Sequence, residues 1–138
     1  MTSERLLEEA KKARKKSYSP YSHFAVGAAL LTADGDLFTG CNVENASYGA
    51  TCCAERVALF SAIAAGKTDF RALAVVGGKA GKEPVELCPP CGICRQALSE
   101  FCPAEMPVYL CDREGLKAFR FGELLPLTFS TKQLENED

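Results

Sequence analysis

Residues 24–41 read FAVGAALLTADGDLFTGC, and this stretch decides the fold. Its first part, Phe24 to Leu31, is a nearly continuous apolar run, which is typical of a strand buried on both faces. The dipeptide Asp34-Gly35 favours a tight turn, so the chain should reverse there and return as a second strand, Leu37 to Cys41. The stretch therefore predicts a β-hairpin whose first strand lies inside the protein.

Helical and extended segments alternate on both sides of this hairpin. Three helices are predicted: one capped by Ser3 and closed by Ser19-Pro20, one from about Cys52 to Ala65, and one from Pro90 to about Phe101. The remaining predictions are strands at Leu73 to Val76, Pro107 to Cys111 and Leu116 to Phe121, a helical turn at Glu123 to Leu125, and a polar tail. Helices interleaved with strands predict an α/β fold, a sheet with helices on both faces.

Length and composition limit what the chain can be. Its 138 residues, 47% of them apolar, are enough for one core, so residues 1–138 are predicted to form a single domain. The net charge of -2 provides no broad positive field, and we expect no nucleic acid partner. No stretch approaches the roughly 20 apolar residues that span a bilayer, so no membrane partner is expected and a cytoplasmic location is predicted.

Residues 90–94, PCGIC, carry the strongest local signal for chemistry. Cys91 and Cys94 lie three positions apart at the start of a predicted helix, where two thiolates can converge on one metal ion. A second predicted helix start presents Cys53 and Glu55. Backbone N–H groups at a helix start stabilise anionic sulfur, so two facing helix starts would bring these four groups together.

The number of ligands decides what such a site can do. Three cysteine ligands leave tetrahedral zinc one open position, which a water can occupy. Glu55 can then act as the base that activates this water. Cys88 leaves an alternative open, because Cys53, Cys88, Cys91 and Cys94 together would form a closed structural site. A second alternative makes Cys88 and Cys91 a redox pair. His23, the only histidine, is predicted to be a surface residue.

Three motifs read together resemble one family: Cys41-Asn42-Val43-Glu44-Asn45, Cys53-Ala54-Glu55-Arg56 and Pro90-Cys91-Gly92-Ile93-Cys94-Arg95-Gln96. The family is that of the small, homotetrameric, zinc-dependent cytidine deaminases. The resemblance covers nearly the whole chain, from Tyr18-Ser19-Pro20-Tyr21-Ser22 to Phe129-Ser130. It implies a three-layer α/β/α fold with a mixed five-stranded sheet, and a cytoplasmic homotetramer whose pockets are shared between subunits.

The resemblance also implies roles for individual residues at the metal. Cys53, Cys91 and Cys94 would bind one Zn²⁺ per subunit, and Glu55 would move protons. Arg56 would offset the negative charge of three thiolates. Cys52 and Cys88 would then be free thiols outside the metal site.

A nucleoside substrate is implied in the same way. Asn42 and Glu44 would hydrogen-bond the ribose hydroxyls, Phe24 and Phe129 would pack on the pyrimidine, Tyr48 would complete the site across a subunit contact, and the backbone of Ala54 would hold the base's carbonyl oxygen. The implied reaction is hydrolytic deamination of cytidine and 2'-deoxycytidine to uridine and 2'-deoxyuridine with release of ammonia, in pyrimidine salvage. Blasticidin or a nucleic acid base as substrate, and a structural zinc module without activity, remain the alternatives.

Overall fold

The computed structural model describes residues 1–135. Its helices and strands are α1 Ser3–Arg14, β1 Phe24–Thr32, β2 Leu37–Cys41, α2 Ala54–Ala64, β3 Phe70–Lys79, α3 Gly92–Ser99, β4 Pro107–Asp112, β5 Gly115–Arg120, α4 Phe121–Leu124 and α5 Thr131–Leu134. A 3-10 turn lies at Tyr48–Ala50. None of the helices in this described part combines the length and apolar content that crossing a bilayer requires.

The five strands form one sheet in the order β2-β1-β3-β4-β5. The predicted hairpin is confirmed, since β1 and β2 pair antiparallel from Gly27 opposite Cys41 to Leu31 opposite Leu37. β1 also pairs antiparallel with β3, and β4 with β5. β3 and β4 pair in parallel, with Leu73 opposite Val108, so the sheet is mixed and five-stranded as predicted.

Helices cover both faces of the sheet and make three layers. Alternate residues of β1 and β3 point to opposite faces because side chains in a strand alternate. One face packs on α2 and α3 through Ala28, Leu30, Leu73, Val75, Ala58, Leu59 and Leu98. The other packs on α1 through Ala29, Leu31, Ala72, Ala74, Leu6, Leu7 and Ala10. β1 is thus buried on both faces, as its unbroken apolar run predicted.

Glycines let two helices approach the sheet closely. A Cβ built on Gly27 would lie 2.0 Å from the carbonyl oxygen of Ala10, so α1 rests directly on the β1 backbone. A Cβ on Gly40 would lie 2.5 Å from the carbonyl oxygen of Ala54 and 2.6 Å from the amide nitrogen of Ala58. Gly40 therefore fixes the position at which α2 begins.

Several predicted boundaries were wrong. Thr2 caps α1 and accepts from the Arg5 amide at 3.1 Å, because Ser3 already belongs to the helix. β3 runs from Phe70 to Lys79, well beyond the predicted strand, because it pairs along the whole of β1.

The C-terminal predictions also shift. The last helical turn forms at Phe121–Leu124, two residues early, and the predicted polar tail contains α5, which Ser130 caps. The end of that tail and of the predicted domain, residues 136–138, lies outside the described residues.

Candidate metal centre and active site

Two helix starts bring three cysteines together. Cys53 is the N-cap of α2, Cys91 is the N-cap of α3, and Cys94 lies in the first turn of α3. Their sulfur atoms all lie within 4.8 Å of one another, and the Sγ atoms of Cys53 and Cys91 are 3.7 Å apart. The fold thus brings together the three thiols that were predicted to converge.

The three sulfur atoms fit a zinc ion. Tetrahedral zinc with bonds of about 2.3 Å to sulfur places its ligands about 3.8 Å apart, close to the Cys53–Cys91 separation. Neither of these two N-cap side chains accepts a hydrogen bond from the backbone N–H groups of its own helix, so both can turn towards a metal. The free N–H groups of the two helix starts favour negative charge at this position.

The thiols are already polarised without a metal. Hydrogen bonds from the Cys94 thiol and from Arg56 lower the pKa of Cys53 well below its usual value. The pKa of Cys94 rises, because its thiol donates a hydrogen bond to the Cys53 sulfur and because burial removes it from water. Zinc binding requires all three groups as thiolates, so it would release the thiol proton of Cys94.

Cys88 does not join this cluster. Within residues 1–135, the metal-binding group contains Cys53, Cys91 and Cys94, so the alternative of four converging thiolates is not what the fold builds. Cys88 packs against β3, where a Cβ on Gly77 would lie 2.5 Å from its sulfur. Burial raises the pKa of Cys88 to about 12, and it is a free thiol, as is Cys52.

Glu55 lies in the first turn of α2, two residues after Cys53. Its side chain is buried, with 3% of the residue exposed. Desolvation raises its pKa to about 7, although a hydrogen bond from its own backbone N–H acts in the opposite direction. A carboxyl group with such a pKa can accept and return a proton near neutral pH.

Arg56 lies beside the thiols. Its Nη2 is 3.6 Å from the Cys53 sulfur, and this contact raises the pKa of the guanidinium. Three thiolates carry one negative charge more than a divalent ion neutralises, and the charge-compensating role of Arg56 stays a prediction that this contact is compatible with. Its Nε is buried and finds no partner among the described residues.

Glu44 is held by the turn that precedes β1. Its carboxylate accepts from the amides of Tyr21 and Ser22, at 3.0 Å and 3.1 Å, and from the Ser22 hydroxyl. These hydrogen bonds, that of the Ser22 hydroxyl above all, lower the pKa of Glu44. The same hydroxyl accepts from the Phe24 amide at 3.0 Å, so Ser22 joins two predicted substrate contacts.

Asn42 is buried and ties β2 to β1. Its Oδ1 accepts from the Val26 amide at 2.9 Å and from the Ser17 hydroxyl, while its Nδ2 donates to the Phe24 carbonyl at 2.8 Å. An amide nitrogen has two hydrogens. Asn42 therefore has one N–H without a hydrogen-bond partner among the described residues, whereas its oxygen already accepts two hydrogen bonds.

The remaining predicted contacts differ in their exposure in the single chain. A cavity of about 330 Å³ is lined by Tyr21, Ser22, Glu44, Tyr48 and Thr51. The metal cluster, Phe24 and Phe129 are not among its walls. Phe24 is 43% exposed, Tyr48 74% and Phe129 57%, whereas Ala54 is buried at the start of α2.

Sequence reasoning missed two kinds of supporting residue. Ser22 stands out in the sequence only as part of a motif, and its contact with Glu44 becomes visible once the 21–24 turn meets the end of β2. Arg95 and Gln96 likewise stand out only as the continuation of the PCGIC motif. In the fold they donate hydrogen bonds to the backbone carbonyl oxygens of Leu124 and Phe129, respectively.

Comparison with known proteins agrees with this geometry. The family model for the cytidine and deoxycytidylate deaminase zinc-binding region matches residues 1–110. The chain is 49% identical over 135 residues to a cytidine deaminase of Sporosarcina psychrophila, covering 97% of this chain and 96% of the relative. It is 47% identical over 137 residues to one from Halalkalibacterium halodurans, covering 99% and 100%.

A solved structure gives the same result. The crystal structure of cytidine deaminase from Burkholderia pseudomallei is 50% identical in sequence, with a TM-score of 0.84. The match covers 94% of this chain and all of that one. On the family match, the extent of these identities and the zinc-binding thiol cluster, the chain belongs to the cytidine and deoxycytidylate deaminase family.

Proposed function

We propose that this protein is a zinc-dependent hydrolase that deaminates cytidine and 2'-deoxycytidine to uridine and 2'-deoxyuridine, with release of ammonia, in pyrimidine salvage. The observation that carries the proposal is the placement of buried Glu55 two residues after Cys53, one of the three cysteines that the starts of α2 and α3 bring together. Three protein ligands leave the fourth position of a tetrahedral zinc ion open to water or substrate, and a carboxyl group beside that position can transfer protons. The identity to curated cytidine deaminases supports the choice of substrate.

Glu55 would serve as base and then as acid. Zinc, when bound by Cys53, Cys91 and Cys94, would act as a Lewis acid that lowers the pKa of the attacking water. Glu55 accepts the proton that the attacking water loses and delivers it to N3 of the ring, which makes C4 electrophilic. The second proton of that water, on the oxygen now bonded to C4, passes through the same carboxylate to the amino group, so that the C4–N bond breaks, the C4 carbonyl forms and ammonia leaves. A pKa of about 7 suits both directions of transfer.

The ribose would be recognised by complementary groups. The Glu44 carboxylate accepts a hydrogen bond from a ribose hydroxyl, and the free N–H of Asn42 donates to a ribose oxygen. The backbone N–H of Ala54 lies at the start of α2, where it has no intrahelical partner, and it can donate to the base's carbonyl oxygen. Glu44 would repel a phosphate at the sugar, which favours a nucleoside over a polynucleotide.

Aromatic residues would complete the pocket between subunits of a homotetramer. Phe24 packs on the pyrimidine, while Tyr48 and Phe129 contribute across subunit contacts. The exposure of all three aromatic side chains in the single chain supports this arrangement, because a lone chain leaves them in water. We place the whole of residues 1–138 in one deaminase domain and the protein in the cytoplasm, a reducing compartment in which the three thiols stay available to zinc.

The proposal is tested by offering the zinc-loaded protein four substrates: cytidine, 2'-deoxycytidine, blasticidin S and a cytosine-containing single-stranded oligonucleotide. Conversion of the two nucleosides, followed by the change in their near-ultraviolet absorbance and by ammonia release, is the expected result. Conversion of blasticidin S alone, or of the oligonucleotide alone, would overturn the substrate assignment. Inactivity on all four with zinc bound would favour the structural module.

A further inference from the structure

Two neighbouring residues of α3 hold the segment that carries Phe129. Arg95 donates from Nη1 to the carbonyl oxygen of Leu124 at 2.6 Å. Gln96 donates from Nε2 to the carbonyl oxygen of Phe129 at 3.0 Å. Consecutive side chains of one helix therefore hold both ends of residues 124–129, which we call the C-terminal segment.

The C-terminal segment has little regular structure of its own. It runs from the last residue of α4 almost to the start of α5. Each of these helices has only four residues, and helices this short are not stable alone. Inside it, Thr128 donates from its hydroxyl to the Leu125 carbonyl at 2.7 Å, and Leu127 takes a left-handed conformation with φ 51°. The segment turns outward, and Phe129 stays exposed. Leu124 and Leu125 pack against the hydrophobic core, so it is the exposed outer part, from Leu127 to Phe129, whose position depends on the hydrogen bond at Phe129.

The helix that holds the C-terminal segment also carries two of the three metal ligands. Cys91 is the N-cap of α3, and Cys94 is buried in its first turn. Arg95 follows Cys94 directly and also donates from Nε to the Pro90 carbonyl at 2.6 Å, one residue before Cys91. α3 has only eight residues, so a metal bound to Cys91 and Cys94 would fix a large part of it.

We propose that Arg95 and Gln96 are positioning residues that tie the C-terminal segment to the metal centre, so that zinc binding sets the position of Phe129. The proposal rests on the proposed function for the role of Phe129 at the pyrimidine. Its physical basis is independent of that role. Fixing the start of α3 fixes the two donors, and the two donors fix both ends of the segment.

Gln96 is the better residue for a test. Arg95 also donates a hydrogen bond to the carbonyl oxygen of Pro90, the residue before Cys91, so replacing Arg95 would disturb the metal centre directly. Gln96→Glu keeps the size of the side chain and removes the N–H donor, which leaves an acceptor facing the Phe129 carbonyl. Gln96→Leu removes the polar group altogether. Glu100→Gln, at the exposed C-cap of the same helix, is the matched control.

The experiment is amide hydrogen exchange, read by mass spectrometry on peptides that cover residues 124–130, with zinc content measured on each sample. With zinc bound, Gln96→Glu and Gln96→Leu should speed exchange in this region about three- to tenfold, the net effect of losing one hydrogen bond. Zinc content should remain that of the unmutated protein. Glu100→Gln should change neither quantity.

The link to the metal is tested by chelation. Removing zinc should speed exchange of the C-terminal segment in the unmutated protein, and by a smaller factor in Gln96→Glu, where the connection is already broken. Peptides from β1 and β3 serve as the control that the core stays folded. An equal effect of chelation in both proteins, or no change in the Gln96 variants with zinc bound, would overturn the proposal.

Kinetics separate positioning from general damage. The Gln96 variants should raise KM for cytidine several-fold while kcat stays within about twofold, since Glu55 and the metal ligands are untouched. A loss of kcat with unchanged KM would contradict the positioning role. If the protein does not act on cytidine at all, the proposed function fails, and the exchange measurements still decide whether the segment is tied to the metal.

Discussion

The Ser22 hydroxyl is the residue-scale contact on which the predicted ribose site depends. It donates to Glu44 and accepts from the Phe24 amide, so one oxygen orients a carboxylate and an aromatic residue. Sequence patterns do not reveal the contact between Ser22 and Glu44, because these two residues lie 22 positions apart in the chain. The residue type at position 22 fits several turn motifs equally well.

Replacing Ser22 by Ala should loosen Glu44 and weaken nucleoside binding. We expect KM for cytidine to rise about five- to tenfold, which corresponds to about 1–1.4 kcal/mol, the net contribution of one typical hydrogen bond. Ser22→Thr, which keeps the hydroxyl, should restore most of the loss, and Ser47→Ala should be silent. The ribose role of this contact is checked with 2'-deoxycytidine and 3'-deoxycytidine: a Ser22→Ala penalty as large for both analogues as for cytidine would contradict it.

Arg56 acts at the same scale on the metal. Its guanidinium contacts the Cys53 sulfur, and Arg56→Gln would leave the excess negative charge of three thiolates without compensation. Zinc affinity should fall about 10- to 100-fold, the usual range for residues that contact metal ligands. Competition with a chromogenic chelator measures it. An unchanged zinc affinity in Arg56→Gln would show that this charge is compensated elsewhere.

At the scale of elements, Gly40 sets the distance between α2 and the sheet. The start of α2 carries Cys53 and Glu55, so a shift of this helix would move both. Because a Cβ at position 40 would meet the α2 backbone at 2.5 Å and neither side can yield freely, the contact cannot be relieved by a side-chain rotation.

We therefore expect Gly40→Ala to lower the free energy of unfolding by about 1–3 kcal/mol, the usual cost of overpacking. It should also reduce zinc occupancy. Gly49→Ala is the control, since a Cβ there meets nothing within 4 Å. Denaturant unfolding of both variants checks the prediction. Equal stability of the two variants would mean that the contact at Gly40 relaxes without cost.

The two-sided burial of β1 could be predicted, because an unbroken apolar run such as residues 24–31 is typical of a strand inside the protein. The extent of β3 could not be predicted, since its ends at Phe70 and Lys79 are fixed by pairing with β1 and not by their own composition. The mixed sheet followed from the resemblance, and the metal cluster from spacing and resemblance together. The contacts of Ser22 and Gln96 depend on chain segments that only the fold brings together.

At the scale of the whole molecule, the proposed pocket between subunits predicts complementation between two defective chains. Glu55→Ala removes the proton carrier and keeps Phe129, whereas Phe129→Ala keeps Glu55. In a mixed tetramer, a Phe129→Ala chain can receive the aromatic side chain of a neighbouring Glu55→Ala chain. Co-expressed variants, separated by tag, should show an activity several-fold above that of the Phe129→Ala oligomer alone. Activity that is the simple average of the two parents would place Phe129 in the pocket of its own chain.

The most direct test of the proposed mechanism is the Glu55→Gln variant, assayed for zinc content and for cytidine turnover on the same sample. Glu55 is assigned to proton transfer and not to the metal, so the variant should keep the zinc content of the unmutated protein. Its kcat should fall at least about 10²- to 10⁴-fold, the contribution expected of a positioned acid–base group. Near-normal turnover, or loss of zinc from the variant, would contradict the assignment of Glu55 as the proton carrier beside a three-cysteine zinc site.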